Sequence, residues 1–182
     1  MKVITWSIVI LFCSCLARTV SSATIPQEDD GVRVLQNYQG LWDNEFTIES
    51  QSADEKTSGC TGIVEGKWVV DDQFMEQTGN YRIGDSASPI IIKTMMSFDK
   101  KMKRYQYDYY LSSGEIQKSF GSWDKESKSM TSTMADNGDG KITTIKADFS
   151  SENIERWTIE TVDRDGKTAL KIVGTNTRRK PQ

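Results

Sequence analysis

The chain contains no histidine, and this absence excludes several kinds of active site. A Ser-His-Asp or Cys-His relay has no residue that can act as its general base. A catalytic zinc site of the usual histidine-rich type lacks its ligands, and a haem cannot be held by a proximal histidine. We therefore expect no metal site, no bound cofactor and a function that is not enzymatic.

Cysteine is also scarce. The three cysteines are Cys13, Cys15 and Cys60, and the first two lie in an N-terminal segment that we expect to be removed. Cys60 then has no partner for an internal disulfide, so the fold depends on a hydrophobic core. Cys60 lies in a segment of alternating polarity, which predicts a small, buried or half-buried side chain.

The N-terminal residues have the pattern of a secretory signal peptide. A positive start at Lys2 precedes the apolar run 3–16, and small residues follow up to Ala23. We expect cleavage after Ala23 and a secreted or periplasmic protein. The apolar run is shorter than the roughly 20 residues of a spanning helix. An uncleaved membrane anchor and a lipid anchor at Cys15 remain alternatives.

The charge of the chain argues against nucleic acid as a partner. The sequence has 23 basic and 26 acidic residues. Removal of residues 1–23 takes Lys2 and Arg18 and leaves 21 basic residues, so the net charge becomes −5. Binding to phosphates requires clustered lysine and arginine, and the one basic cluster, residues 178–180, has the character of a solvated tail.

Two regions follow the predicted signal peptide. Residues 24–39 are polar and acidic at first, which predicts an exposed lead-in with one short helical turn over residues 32–38. After Gly40 the apolar residues recur with a period of two. Trp42, Phe46 and Ile48, for example, fall on one face of a predicted strand. We expect a single β-barrel domain over residues 40–180.

The predicted strands are joined by short turns. Residues 59–83 read as two strands around a tight turn at Asp71-Asp72, and Asn-Gly or Asp-Gly pairs mark later hairpins. About ten strands result, with no long helix. Neighbours in sequence should pair in the sheet. Closure removes edge strands, so an antiparallel up-and-down barrel is favoured over a sandwich.

Four segments in order resemble domain of unknown function 1579: GLWDNEFTIES, GIVEGKWVVDDQFMEQTGNY, SFDKKMKRYQYDYY and GSWDKESKSMTSTMA. That family has a G-x-W start, a W-x-L-G-G-x-F-L-x-Q hairpin and two later turns that contain aspartate. Here the hairpin runs from Trp68 to Gln77, with Asp71-Asp72 where the family has two glycines. The resemblance covers roughly residues 40–180. It implies a lipocalin-like barrel of the calycin type, and it implies no established activity.

The leading functional hypothesis is an exported barrel that binds a small apolar or amphipathic molecule in its interior. The residues predicted to face that interior are Trp42, Phe46, Trp68, Phe74, Met96, Trp123 and Trp157. Packing of an ordinary core explains the same residues equally well.

Two other functions stay open. A structural or interaction module of the cell envelope would use an exposed stripe of Tyr105, Tyr107 and Tyr109. A carboxylate-dependent hydrolase would use acidic residues on the strands, such as Glu65 and Glu76, which we expect to oppose one another approximately across the Asp71-Asp72 turn.

Overall fold

The computed structural model describes residues 30–49, 58–84, 88–134 and 140–180. Two short helical segments come first, α1 (Asp30–Val34) and a 3₁₀ turn (Leu35–Tyr38). The strands that follow are β1 Gly40–Glu49, β2 Ser58–Val69, β3 Phe74–Ile83, β4 Ile90–Asp99, β5 Arg104–Leu111, β6 Ile116–Asp124, β7 Ser129–Met134, β8 Ile142–Ser151, β9 Ile154–Val162 and β10 Thr168–Arg178. The all-β prediction is confirmed. The predicted signal peptide, residues 1–23, lies outside the described residues.

The strands form one closed antiparallel barrel. Each strand pairs with the next along the chain, and β1 pairs with β10 to complete the circle. At this seam Trp42 lies opposite Arg178 and Glu49 lies opposite Lys171. Closure leaves no sheet edge to pair with another chain. None of the helices in the described ranges has the length and apolar character that a membrane crossing requires.

Side chains alternate between the barrel interior and the solvent. On β1, Trp42 and Asn44 are buried while Asp43 and Glu45 are exposed. The outward charges pair across the seam, where Lys171 Nζ lies 2.9 Å from Glu49 Oε2. Such exposed ion pairs contribute about 0–1 kcal/mol each, so the interior residues must supply most of the stability.

Residues 30–38, which we name the plug, close one end of the barrel. Val32, Leu35 and Tyr38 are buried, and the Tyr38 ring packs edge-on against Phe149 with 4.9 Å between ring centroids. The prediction of an exposed lead-in is therefore wrong for this part of residues 24–39. The three apolar residues recur every third position, so a helical turn presents them to the barrel on one side.

Hydrogen bonds from the seam strands hold the plug in place. The Trp42 indole Nε1 donates to the Tyr38 carbonyl oxygen at 3.3 Å. The Arg178 guanidinium donates to the carbonyl oxygens of Asn37, at 3.1 Å, and Gln39. These bonds satisfy carbonyl groups at the C-terminal end of the helical segment, where intrahelical partners are missing.

The plug also requires a glycine on β2. Gly66 is buried, and a Cβ atom added there would overlap the Tyr38 carbonyl oxygen. The missing side chain lets the plug backbone approach the barrel wall closely.

The β2–β3 turn has an unusual backbone. Val70, Asp71 and Asp72 have φ angles of 53°, 53° and 57°. Aspartate tolerates this left-handed region better than a β-branched residue does. The predicted turn at Asp71-Asp72 is confirmed, and the turn includes Val70 as well.

Candidate functional site

A cavity of about 240 Å³ lies in the barrel, and the plug residue Tyr38 is part of its wall. Most of its wall is apolar, with contributions from Ile92, Met96, Leu111, Met134, Ile145 and Ile159. An apolar cavity of about 150 Å³ is sufficient to hold benzene. The barrel interior therefore has room for one ring system with a short substituent.

Three polar side chains form a hydrogen-bonded row on the cavity wall. The Asn176 amide Nδ2 donates to Glu155 Oε2 at 2.6 Å, and the Asn44 amide Nδ2 donates to Asn176 Oδ1. β10 carries Asn176, and its neighbours β1 and β9 carry Asn44 and Glu155. All three side chains line the cavity, and all are buried.

Glu155 is a carboxyl group in an unusual environment. Burial raises its pKa to about 7, while the hydrogen bond from Asn176 and the charge of Arg178 act in the opposite direction. The effect of burial on the pKa is the largest, because a charged carboxylate loses much of its hydration inside the barrel. Glu155 consequently changes its charge near neutral pH.

A second cluster of polar side chains includes Tyr109 of β5. The Tyr109 hydroxyl is 3.2 Å from Ser119 Oγ, and Ser119 Oγ donates to Ser132 Oγ at 3.3 Å. Burial raises the pKa of Tyr109 to about 12 and that of Tyr107 further. Both rings therefore present neutral hydroxyl groups at physiological pH.

The interior residues predicted from the sequence fall into three groups. Met96 and Trp157 line the cavity. Trp68 and Trp123 pack against the buried core beside the plug. Their ligand contacts stay a prediction.

The three remaining predicted residues lie elsewhere. Trp42 is buried beneath Arg178 at the seam. Phe46 packs against Trp157, with 5.6 Å between ring centroids. Phe74 is half-buried and alternates with the buried Met75, so it belongs to the outward-facing set of β3.

The tyrosine stripe of β5 faces inward. Tyr105 and Tyr107 are each 4% exposed, and Tyr109 lines the cavity. The predicted exposed stripe is wrong, because the in-phase tyrosines belong to the apolar face of the strand. The interaction-module hypothesis loses the observation on which it depended.

The proposed carboxylate pair does not assemble. Glu65 lies opposite Thr78, whereas Glu76 lies opposite Lys67. Glu76 instead bridges two lysines, with Lys67 Nζ at 3.5 Å and Lys93 Nζ at 3.2 Å. The expectation that Glu65 and Glu76 oppose each other is wrong, and the hydrolase hypothesis loses its residues.

Sequence reasoning missed Glu155, Asn176 and Asn44. A signal was present for two of them, because Glu155 is in phase with Trp157 on β9 and Asn44 is in phase with Trp42 on β1. A polar residue at a strand position that faces the interior indicates either that the register is wrong or that the side chain has a function. The Cys60 prediction is confirmed, since its side chain is buried.

Sequence comparison assigns the family. The profile described as protein of unknown function (DUF1579) matches residues 28–179. The chain belongs to the DUF1579 family. No curated protein matches it. The family match begins before the plug and ends beyond β10, so it includes the whole of the DUF1579 barrel described above.

Solved structures share the fold of this DUF1579 barrel. The S-type phycobiliprotein lyase CPES from Guillardia theta aligns with a TM-score of 0.63 and 10% identity, covering 82% of this chain and 93% of that one. Rv2717c from M. tuberculosis aligns with a TM-score of 0.62 and 8% identity, covering 84% and 99%. At these identities the similarity establishes the fold alone.

Proposed function

We propose that this DUF1579 protein binds one small apolar or amphipathic molecule inside its barrel. The observation that carries the proposal is the cavity of about 240 Å³, whose wall is apolar apart from a few polar groups. Binding pockets combine these two features, since apolar surface supplies affinity and a few polar groups fix orientation. The volume favours a ligand with a single ring system.

A neutral fluorescent dye with one fused ring system and short substituents, prodan, tests the proposal directly. Its fluorescence rises in an apolar environment, so titration of the purified barrel should give a saturable signal at one dye per chain. Ala147 lines the cavity, and Ala147→Leu should weaken dye binding about tenfold by filling the space. Ala169→Leu adds the same atoms at an exposed position on β10 and should leave binding unchanged.

The two variants separate interior binding from surface adsorption. Equal loss in both variants, or dye binding that does not saturate, would contradict a site inside the barrel. Native mass spectrometry of the protein purified from its source gives a second measurement. A mass excess that disappears on denaturation would support a resident small molecule.

We also propose that the protein is exported. Support comes from residues 1–23, which combine a positive start, a short apolar run and small residues before the expected cleavage site. Expression of the full chain in its source should yield a mature form that begins at Thr24. A secreted or membrane-bound product that still begins at Met1 would overturn cleavage after Ala23.

A further inference from the structure

When Glu155 is ionised, the direction of the hydrogen bonds in the polar row is fixed by chemistry. The Glu155 carboxylate accepts, so the Asn176 side chain must donate to it through Nδ2. Asn176 then offers Oδ1, to which Asn44 donates through Nδ2. Each asparagine amide has one donor end and one acceptor end, so the row ends at Asn44 Oδ1.

Asn44 Oδ1 is an acceptor without a donor. Among the described residues this atom is buried and has no hydrogen-bond partner, although the residue lines the cavity and is only 2% exposed. Buried polar atoms nearly always have partners. The missing partner is a hydrogen-bond donor, and Asn44 is one of the residues that line the cavity.

The charge on the cavity wall is negative. Within the part of the chain that the structure describes, its lining includes the carboxyl group of Glu155 and no lysine or arginine. Arg178 reaches the same carboxyl group through its electric field, but its guanidinium donates to the carbonyl oxygens of Asn37 and Gln39 and stacks on Trp42. The wall therefore favours a cation over an anion.

Aromatic rings supply a further preference for positive charge. Tyr38, Tyr81, Tyr107 and Tyr109 all line the cavity. The face of an aromatic ring attracts a cation, and the attraction grows when water is excluded. Burial keeps these hydroxyl groups protonated, so the rings add no negative charge of their own.

We propose that the ligand is a small primary amine bound as its cation. Its ammonium group donates to Asn44 Oδ1 and to the Glu155 carboxylate, and its apolar or aromatic body fills the rest of the cavity. An ammonium group fits because it carries three donors and no acceptor. This inference rests on the proposed function, because it names the ligand class of the same cavity.

The pH at which Glu155 ionises gives the proposal a signature. The groups that face Glu155 are Tyr38, Tyr81, Tyr107 and Asn176, with Arg178 at the closed end. Burial raises the pKa of the three tyrosines above its ordinary value, so the change of charge near neutral pH belongs to Glu155. Amine affinity should rise about tenfold from about pH 6 to about pH 8, as Glu155 loses its proton.

Three probes with the same phenyl ring and similar short chains test the ligand class by isothermal titration calorimetry. Phenethylamine is a cation, phenethyl alcohol is a neutral donor and phenylpropionate is an anion. At about pH 8 the amine should bind about tenfold tighter than the alcohol, because charge-assisted hydrogen bonds are the stronger ones. Phenylpropionate should bind most weakly.

Two substitutions locate the ammonium group. Glu155→Gln keeps the shape of the side chain and should abolish both the amine preference and the pH dependence. Asn44→Ala should weaken amine binding several-fold, while Asn80→Ala, at an exposed position on β3, should not change it. Glu155→Gln should bind prodan as the native protein does, which shows that the cavity persists.

The outcomes distinguish this inference from the proposed function. If the dye binds the cavity but the alcohol or the acid binds as tightly as the amine, the amine inference is overturned and the proposed function stands. If neither the dye nor any phenyl probe binds, the proposed function itself fails. The probe series and the pH profile use the native chain, so they decide the matter even if a variant does not fold.

Discussion

The guanidinium carbon of Arg178 lies 3.9 Å from the centre of the Trp42 ring, at paired positions of β10 and β1. The same guanidinium donates to the carbonyl oxygens of Asn37, within the plug, and of Gln39, which leads from the plug into β1. One side chain therefore joins the barrel seam to the plug. Lysine could not replace it, since only the planar guanidinium group can stack on the Trp42 ring and donate hydrogen bonds to the two carbonyl oxygens at the same time.

Removal of this contact should loosen the closed end. We expect Arg178→Gln to lower the free energy of unfolding by about 1–3 kcal/mol, through loss of the cation–π contact and of charge-assisted hydrogen bonds. Urea denaturation measures the change. Arg179→Gln is the matched control, because Arg179 forms an exposed ion pair with Asp43 that contributes at most about 1 kcal/mol. Equal effects of the two substitutions would refute the structural role of Arg178.

Gly66 should tolerate no side chain. Gly66→Ala places a Cβ atom against the Tyr38 carbonyl oxygen, so the plug must shift and the protein should lose about 1–3 kcal/mol of stability. Gly59→Ala lies on the same strand, with no atom near its added Cβ, and should be close to neutral. Thermal unfolding of both variants compares them. A neutral Gly66→Ala would mean that the plug is not held against β2.

The β2–β3 turn offers a stabilising substitution. Val70 has a φ of 53° and is exposed, so its side chain gains little from burial and incurs the cost of a left-handed backbone. Val70→Gly should raise stability by about 1 kcal/mol, which corresponds to roughly 2–4 °C in Tm for a domain of this size. Val69→Gly, within β2, should lower Tm instead. A decrease in both variants would contradict the left-handed turn.

Glu155 should make stability depend on pH. Its pKa is raised from 4.5 to about 7, so between these values the native protein keeps a proton that the unfolded chain releases. Stability from this group is therefore fully present below about pH 4.5 and declines as pH rises towards 7. The loss is on the order of 3 kcal/mol.

The comparison of native protein with Glu155→Gln isolates this contribution. The variant has no ionisable group at that position, so the difference between the two unfolding free energies should change by about 2.5 kcal/mol from about pH 5 to about pH 8. Urea denaturation across that range provides the values. Parallel curves for the two proteins would show that Glu155 does not titrate in this interval.

Much of the barrel could be predicted because period-two alternation and turn residues are local signals. The β1 face with Trp42 and the turn at Asp71-Asp72 both follow from them. The plug could not be predicted as a plug, since its burial depends on a distant strand that carries Gly66. Phe74 is ambiguous in the sequence because it lies at a strand end, where a shift of one residue reverses the face.

The candidate site was harder to predict from the sequence than the fold. An apolar pattern identifies interior positions such as Met96 and Trp157 but does not separate cavity wall from packed core. Glu155 could not be assigned to the interior from the sequence, because charged residues usually lie at the protein surface. Only the closure of β9, β10 and β1 around the seam brings its carboxyl group together with Asn176 and Asn44.

The seam has a practical consequence for handling the protein. Since β1 begins and β10 ends beside the plug, both ends of the described barrel emerge on the same side of the molecule. An affinity tag or a surface linker attached after Lys180 would therefore sit on the plug side. A sensor chip that holds the barrel by this linker would turn the opposite rim, with the turns between β5 and β6 and between β9 and β10, towards the solution.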